Sequence, residues 1–352
     1  MALVIATYEH HDAGLRRLTS PSQDAESLAA VLQEPDIAGF EVRTMINEPH
    51  YRVGEAIGEF YRDRRSEDLT LLYFTGHGLK DDTGQLFLTM TDTRRDNLLF
   101  SALSAQQIDA AMDGCVSRRK VLILDCCYGG AFPAEQGPKA DVAVHTLERF
   151  QGRGRVVLTA SDATQYSFEG NHLHGQPPGQ APGDAAPSVF TRHLVAGLRE
   201  GTADLDGDGD ITLDELYSYV YDRVVADMPQ QRPKKQANVE GSIIIARNVN
   251  WTLPTYLHNA VTSPLATERL ATLDELHRLY RIGNPTVRSR VHEEIQRLAD
   301  DDSKQVSTAA TARLPLLTPA PPPPVALPAN PYPVPLVHNT AQHEPKPVTP
   351  DP

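Results

Sequence analysis

Apolar runs alternate with stretches of helical period over the first 250 residues. Ala2–Tyr8 (ALVIATY) reads as a buried strand, and Pro21–Gln33 follows with Ala25, Leu28, Ala29 and Leu32 on one helical face. Phe40–Ile46 predicts a second strand, Val53–Arg65 a second helix and Leu69–Phe74 (LTLLYF) a third strand. Leu86–Met90 reads as a short accessory strand. Ser104–Gly114 reads as a helix with Ser104 at its N-cap. Val121–Leu124 and Arg155–Thr159 predict further core strands, Val189–Arg199 and Leu213–Asp227 helices, and Gly241–Ala246 (GSIIIA) a closing strand. Uninterrupted apolar strands between helices imply a mostly parallel sheet covered on both faces. Ala134–Gly154 and Asn171–Pro187 break the alternation and read as long surface loops of the kind that carry function or cleavage sites.

The pattern changes after Asn250. Leu270, Leu273, Leu276 and Leu279 form one apolar stripe, Val287, Val291, Ile295 and Leu298 another, and Asp302–Leu314 a third short helical pattern. Residues 251–314 therefore read as an all-α module of HEAT-like helical pairs, following a domain that spans 1–250. From Pro315 to Pro352, fourteen of 38 residues are proline, which predicts a disordered or polyproline II tail.

Bulk properties narrow the function. The net charge of -13 argues against a nucleic-acid partner, because phosphate binding needs a basic surface. No stretch reaches the roughly 18 apolar residues of a bilayer span, and the N-terminus has neither a basic region nor a cleavage pattern. Three cysteines, two of them adjacent, make a poor disulfide framework, so a cytoplasmic, reducing location is expected.

Two strands end in unusual chemistry. LLYF runs into Thr75-Gly76-His77-Gly78, and VLIL into Asp125-Cys126-Cys127-Tyr128-Gly129-Gly130. Ligands and reacting groups of parallel α/β sheets lie at the carboxyl ends of strands, and flanking glycines let the backbone turn tightly there. A Cys and a His at neighbouring strand ends are the parts of a nucleophile–base pair. By analogy with other acyl-transfer sites, the backbone N–H groups of Gly78 and Cys127 are the candidate oxyanion donors. Spacing alone leaves open a packed Cys and a structural His.

These blocks, a strand followed by [ST]-G-H-G and a strand followed by D-x-C-x-G-G, resemble caspases and metacaspases, the bacterial effector-associated type above all. The resemblance continues through VVLTASDATQYSFE and SVFTRHLVAGLREG, over about residues 1–248. It implies a three-layer fold with a mostly parallel six-stranded sheet. It also implies a cysteine endopeptidase with Cys127 as nucleophile and His77 as base; Cys126 falls at a variable position. Tyr128-Gly129 stands where many metacaspases have His-Ser, at positions that are not catalytic. Asp24 and Asp125 match the metacaspase acids that hold a substrate Arg or Lys, and Thr75 matches a hydroxyl of the same pocket. Carboxylates suit a guanidinium through bidentate bonds. The alternative, an acid-binding pocket built on Arg16 and Arg17, is disfavoured.

Residues 204–215 fit an EF-hand loop: Asp204, Asp206 and Asp208 at positions 1, 3 and 5, Gly209 at 6, Asp210 at 7, Ile211 at 8 and Glu215 at 12. Bound Ca²⁺ is expected there, in a structural or a regulatory role. Metacaspases are often calcium-activated through acids near the catalytic core, one of which Asp92 matches. Zymogens of this type are commonly cut after the nucleophile strand, and Lys139, Arg149, Arg153 and Arg155 are the candidate self-cleavage points. The helical module is expected to recruit a partner protein in bacterial signalling, defence or cell death. A catalytically silent scaffold, which intact His77 and Cys127 disfavour, and a calcium-binding regulator are the competing readings.

Overall fold

The computed structural model describes residues 1–127, 152–160 and 187–317. Ala2–Ala6 forms β1, Pro21–Gln33 α1, Val42–Ile46 β2 and His50–Tyr61 α2. Leu69–Lys80 forms β3, a strand that runs on past its apolar half through the Thr-Gly-His-Gly block. Leu86–Leu88 (β4) and Leu103–Ser104 (β5) flank the short helix α3 (Leu98–Ser101). Ala105–Asp113 (α4) carries the expected Ser104 cap in a complete capping box with Gln107. Arg119–Cys127 (β6), Arg155–Thr159 (β7), Val189–Glu200 (α5), Asp210–Thr212 (β8), Leu213–Asp227 (α6), Lys234–Asn238 (β9) and Ile244–Arg247 (β10) complete the α/β part.

The central sheet runs β2-β1-β3-β6-β7-β9, with β4 added to β3 and β5 to β4. All pairings from β2 to β7 are parallel, and β9 pairs antiparallel with β7. Alternate side chains along the strands feed two cores. Val4, Tyr73, Ile123 and Leu158 meet Leu28 and Leu32 of α1, Phe190 and Leu194 of α5 and Leu216 and Val220 of α6. Leu3, Phe74, Leu122 and Val157 meet Val53 and Ile57 of α2 and Ile108 and Met112 of α4. Each such side chain contributes about 1.5–3 kcal/mol on burial, which makes these two layers the main source of stability.

One strand assignment needs correcting. Of GSIIIA only Ile244–Ala246 is strand, and that strand, Ile244–Arg247, pairs antiparallel with β8 in a separate two-stranded sheet. The sixth strand of the central sheet is the polar Lys234–Asn238. An antiparallel edge strand needs no continuous apolar run, and lysines there discourage edge-to-edge association.

Four helices follow: α7 (Thr255–Val261), α8 (Ala266–Ile282), α9 (Pro285–Ala299) and α10 (Lys304–Arg313). Leu273, Leu276, Leu279, Val287, Val291, Ile295, Leu298 and Val306 form their own core. Buried Arg269 ties α8 to the segment before α10 through both oxygens of Asp301. This bundle is keyed onto the acidic loop. Trp251 Nε1 donates to Gly207 O (2.8 Å), Asn284 N to Asp208 O (2.7 Å) and Asn284 Nδ2 to Asp210 Oδ1 (3.2 Å). A Cβ at Gly209 would sit 2.5 Å from Asn284 and 2.6 Å from Val287, so glycine there permits the contact. The Pro-rich stretch from 318 onward lies outside the described residues.

Gly76 is the position where β3 depends on a missing side chain. A Cβ there would lie 2.8 Å from Phe74 Cζ and 2.9 Å from the Thr7 carbonyl. Gly76→Ala is therefore expected to lower stability by about 1–3 kcal/mol, the usual range for overpacking. Urea denaturation checks this, and an unchanged midpoint would contradict it.

Candidate active site

β3 and β6 run parallel in a register that pairs Thr75 with Asp125, Gly76 with Cys126 and His77 with Cys127. Adjacent strands lie about 4.8 Å apart. The candidate base and nucleophile are thus set side by side at two strand ends by the same apolar runs that build the sheet. Cys127 is described in its backbone. Cys126 is buried among the core residues of the α2/α4 face, which matches its reading as a packing residue.

His77 Nε2 lies 2.8 Å from the carbonyl oxygen of Arg16. That oxygen only accepts, so Nε2 carries the proton and Nδ1 holds the lone pair of the neutral ring. Burial pulls the imidazole below its ordinary range; the Arg16 carbonyl opposes this and the Arg16 charge adds to it. Gly78 stands beyond His77 in β3, opposite Leu88 of β4.

On the α1/α5 side of the same strand ends lies a pair of acids. Asp24 of α1 is only 1% exposed, accepting from Ser188 N (2.7 Å) and, at 3.4 Å, from Thr75 Oγ1. Asp125 Oδ2 accepts from Ser188 Oγ (2.5 Å) and Thr191 Oγ1 (2.7 Å). Tyr73 OH lies 2.7 Å from Thr191 Oγ1 and is a further hydroxyl that favours the ionised Asp125. Withdrawal from water pushes the Asp125 carboxyl above its ordinary range, against the hydroxyl donors that favour its ionised form. Ser188, the N-cap of α5, thus bonds to both acids. Arg17, by contrast, is exposed and paired with Glu9 at 2.7 Å, which leaves it engaged away from an acid-binding pocket.

The fold agrees with the comparison to known families. A family model described as Caspase domain matches residues 1–243. The chain belongs to the caspase-domain family. Among solved structures, the chain is similar to caspase-1 from Spodoptera frugiperda, at 15% identity and a TM-score of 0.47, covering 71% of this chain and 90% of that one. It is also similar to protein GSU0716 from Geobacter sulfurreducens, at 17% identity and a TM-score of 0.47, covering 72% and 99%. A search of curated proteins gave no significant match.

Within this caspase domain, the remaining expected site residues divide. Single carboxylate oxygens of Asp204, Asp206 and Asp208 lie within 4.8 Å of one another. Asp210 and Glu215 do not join them. Asp210 accepts from Asn284, and Glu215 accepts from the N–H groups of Leu205 and Asp206 and from Thr212 in a capping box. Asp92 accepts from both the backbone N and the Nδ1 of His50 at the start of α2.

Arg155 is corrected as a cleavage point. It opens β7, is 1% exposed and is ion-paired with Asp109 and Asp113 of α4. A peptide bond hydrogen-bonded into a central sheet cannot enter an active site as an extended substrate. Arg153 is exposed in the turn before β7, while Lys139 and Arg149 lie outside the described residues.

The residues that sequence reasoning missed are Tyr73, Ser188, Thr191 and the Arg16 carbonyl. Ser188 carried a signal: a Ser directly before the helical run VFTRHL is an N-cap candidate. Thr191 lies in the SVFTRHLVAGLREG block, which carried the resemblance but no site role, while Tyr73 reads only as a strand residue and Arg16 only as a loop residue. Among the described residues, no helix is long and apolar enough to cross a membrane.

Proposed function

We propose that this caspase domain is a cysteine endopeptidase that cleaves after Arg or Lys. The observation that carries the reading is the acid pair Asp24 and Asp125, joined by Ser188 next to the paired strand ends of His77 and Cys127. Each carboxylate oxygen can accept more than one hydrogen bond, so two acids held together this way suit a guanidinium or ammonium. The Cys127 thiolate attacks the carbonyl carbon of the basic residue, and the C=O pair moves onto oxygen. Backbone N–H groups of Gly78 and Cys127 are the oxyanion donors in this scheme. His77, having taken the thiol proton on Nδ1, gives it to the leaving amine as the C–N bond breaks, and water then releases the acyl group.

The acid limb of kcat/KM checks the base. Because burial favours the neutral imidazole, that form persists as pH falls below the ordinary histidine value of about 6.5. The midpoint of the limb is expected below pH 6.5 for an Arg peptide, and a midpoint at 7 or above would contradict the assignment.

Asp204, Asp206 and Asp208 fit a Ca²⁺ ion. Asp204 Oδ1 is buried without a hydrogen-bond partner. Burial pushes the Asp208 carboxyl up to about 6, with Asp206, Asp210 and Asp204 adding their charge. Bound Ca²⁺ neutralises these clustered carboxylates and supplies no reacting group. A carboxyl raised on folding penalises the folded state above pH 6, and the penalty fades as pH falls through that value. Millimolar Ca²⁺ is thus expected to raise Tm by several degrees at pH 7.5 and much less at pH 5. No change at either pH would remove the ion from the account. Self-processing after Lys139, Arg149 or Arg153, and recruitment of a partner protein by α7–α10, belong to the same proposal; intact-mass analysis and a pull-down with the full chain test them.

A further inference from the structure

A second histidine stands beside the candidate base. The His10 and His77 ring centroids are 5.4 Å apart with the planes tilted by 42°. Thr89 connects them. Its backbone N–H and its hydroxyl both donate to the His77 carbonyl, at 3.0 and 3.2 Å. A hydroxyl has one proton, so while that proton is given to the His77 carbonyl the hydroxyl accepts at its 2.9 Å contact with His10 Nε2. In that arrangement His10 carries its proton on Nε2, and its Nδ1 is buried without a hydrogen-bond partner. The chain of donors runs from His10 through Thr89 to the backbone of His77.

We propose that His10 is a positioning residue for His77, bracing its backbone through Thr89 and its ring by direct contact while the base gains and loses its proton. This rests on the reading of His77 as the base. A neutral imidazole beside an imidazolium is attractive, whereas a second cation at this distance repels it. The groups that bear on the charge of His10 are His77 on β3 and Asp12 and His11 on its own loop. Burial first and His77 second pull its proton affinity down to about 4, so His10 stays neutral while His77 cycles. His10 also lines a cleft of about 610 Å³ with Glu9, His11, Leu15, Asn47 and Thr91. Direct contact with substrate there is the rival explanation for its position.

The test is the pH dependence of Cys127 alkylation by iodoacetamide, read by peptide mass spectrometry, beside kcat and KM for an Arg peptide. His10→Phe keeps a ring and removes the donor; His10→Gln restores an N–H for Thr89. His10→Phe is expected to shift the alkylation profile by about half a pH unit or more and lower kcat roughly tenfold, with KM within about twofold. His10→Gln is expected to recover most of kcat. A change in KM alone would assign His10 to substrate binding and overturn the proposal. So would superimposable profiles, or a His10→Gln variant as impaired as His10→Phe. If His10→Phe fails to fold, Thr89→Val cuts the same connection from its other end, and an unshifted profile there overturns the proposal. Should wild type cleave no peptide, the alkylation profile still decides, so failure of the peptidase reading stays distinct.

Discussion

Cys127→Ala is expected to abolish hydrolysis of Arg and Lys peptides, and His77→Ala to lower kcat by about 10²–10⁴-fold, the usual contribution of a positioned general base. Both effects follow from one register. β3 and β6 pair His77 with Cys127, so neither residue needs a flexible loop to reach the other. The effects are expected to be non-additive. With the thiol gone there is no proton for the imidazole to take, and the double variant should match Cys127→Ala alone. Steady-state kinetics with a fluorogenic Arg peptide decides this. A His77→Ala enzyme with wild-type kcat would assign the base elsewhere.

Asp125→Asn carries the second large effect. Asp125 Oδ2 is saturated by Ser188 and Thr191, and the amide removes the charge while leaving shape and most bonding in place. Losing one partner of a buried charge pair costs about 2–5 kcal/mol, which corresponds to roughly 30- to 5,000-fold in kcat/KM for Arg and Lys substrates. Asp24→Asn is expected to act in the same direction. It leaves the acceptor for Ser188 N in place, so its structural effect should be small. Substrates with a neutral residue at the cleavage site should lose far less, and that contrast separates charge recognition from general damage. Equal losses on Arg and neutral substrates would contradict the pocket.

Much of this was legible in the sequence because the same residues set both fold and site. LTLLYF and VLIL are buried strands by composition, and each ends one or a few residues before the chemistry. Once both are parallel neighbours, Thr75, His77, Asp125 and Cys127 share one edge. The polar β9 was not legible, since Lys234–Asn238 has neither apolar alternation nor β-branched residues and owes its place to β7 alone. The hydroxyl relay was hidden for a related reason. Tyr73 reads as one more core aromatic until Thr191, more than a hundred residues away, meets its hydroxyl. Arg155 misled because charge predicts exposure, yet Asp109 and Asp113 of α4 pair its guanidinium inside the fold. The acidic loop was recognised by its spacing, while its engagement by Asn284 and Trp251 depends on long-range contacts that no local pattern encodes.

Covalent labelling of the full chain by a peptidyl-arginine chloromethyl ketone, read as intact mass and mapped by digestion, tests Cys127 and the acid pocket together. One adduct is expected, on Cys127, lost in Cys127→Ala and slowed in Asp125→Asn, with the matching aspartyl reagent reacting far more slowly. An adduct on Cys115 or Cys126, or faster reaction with the aspartyl reagent, would contradict this expectation.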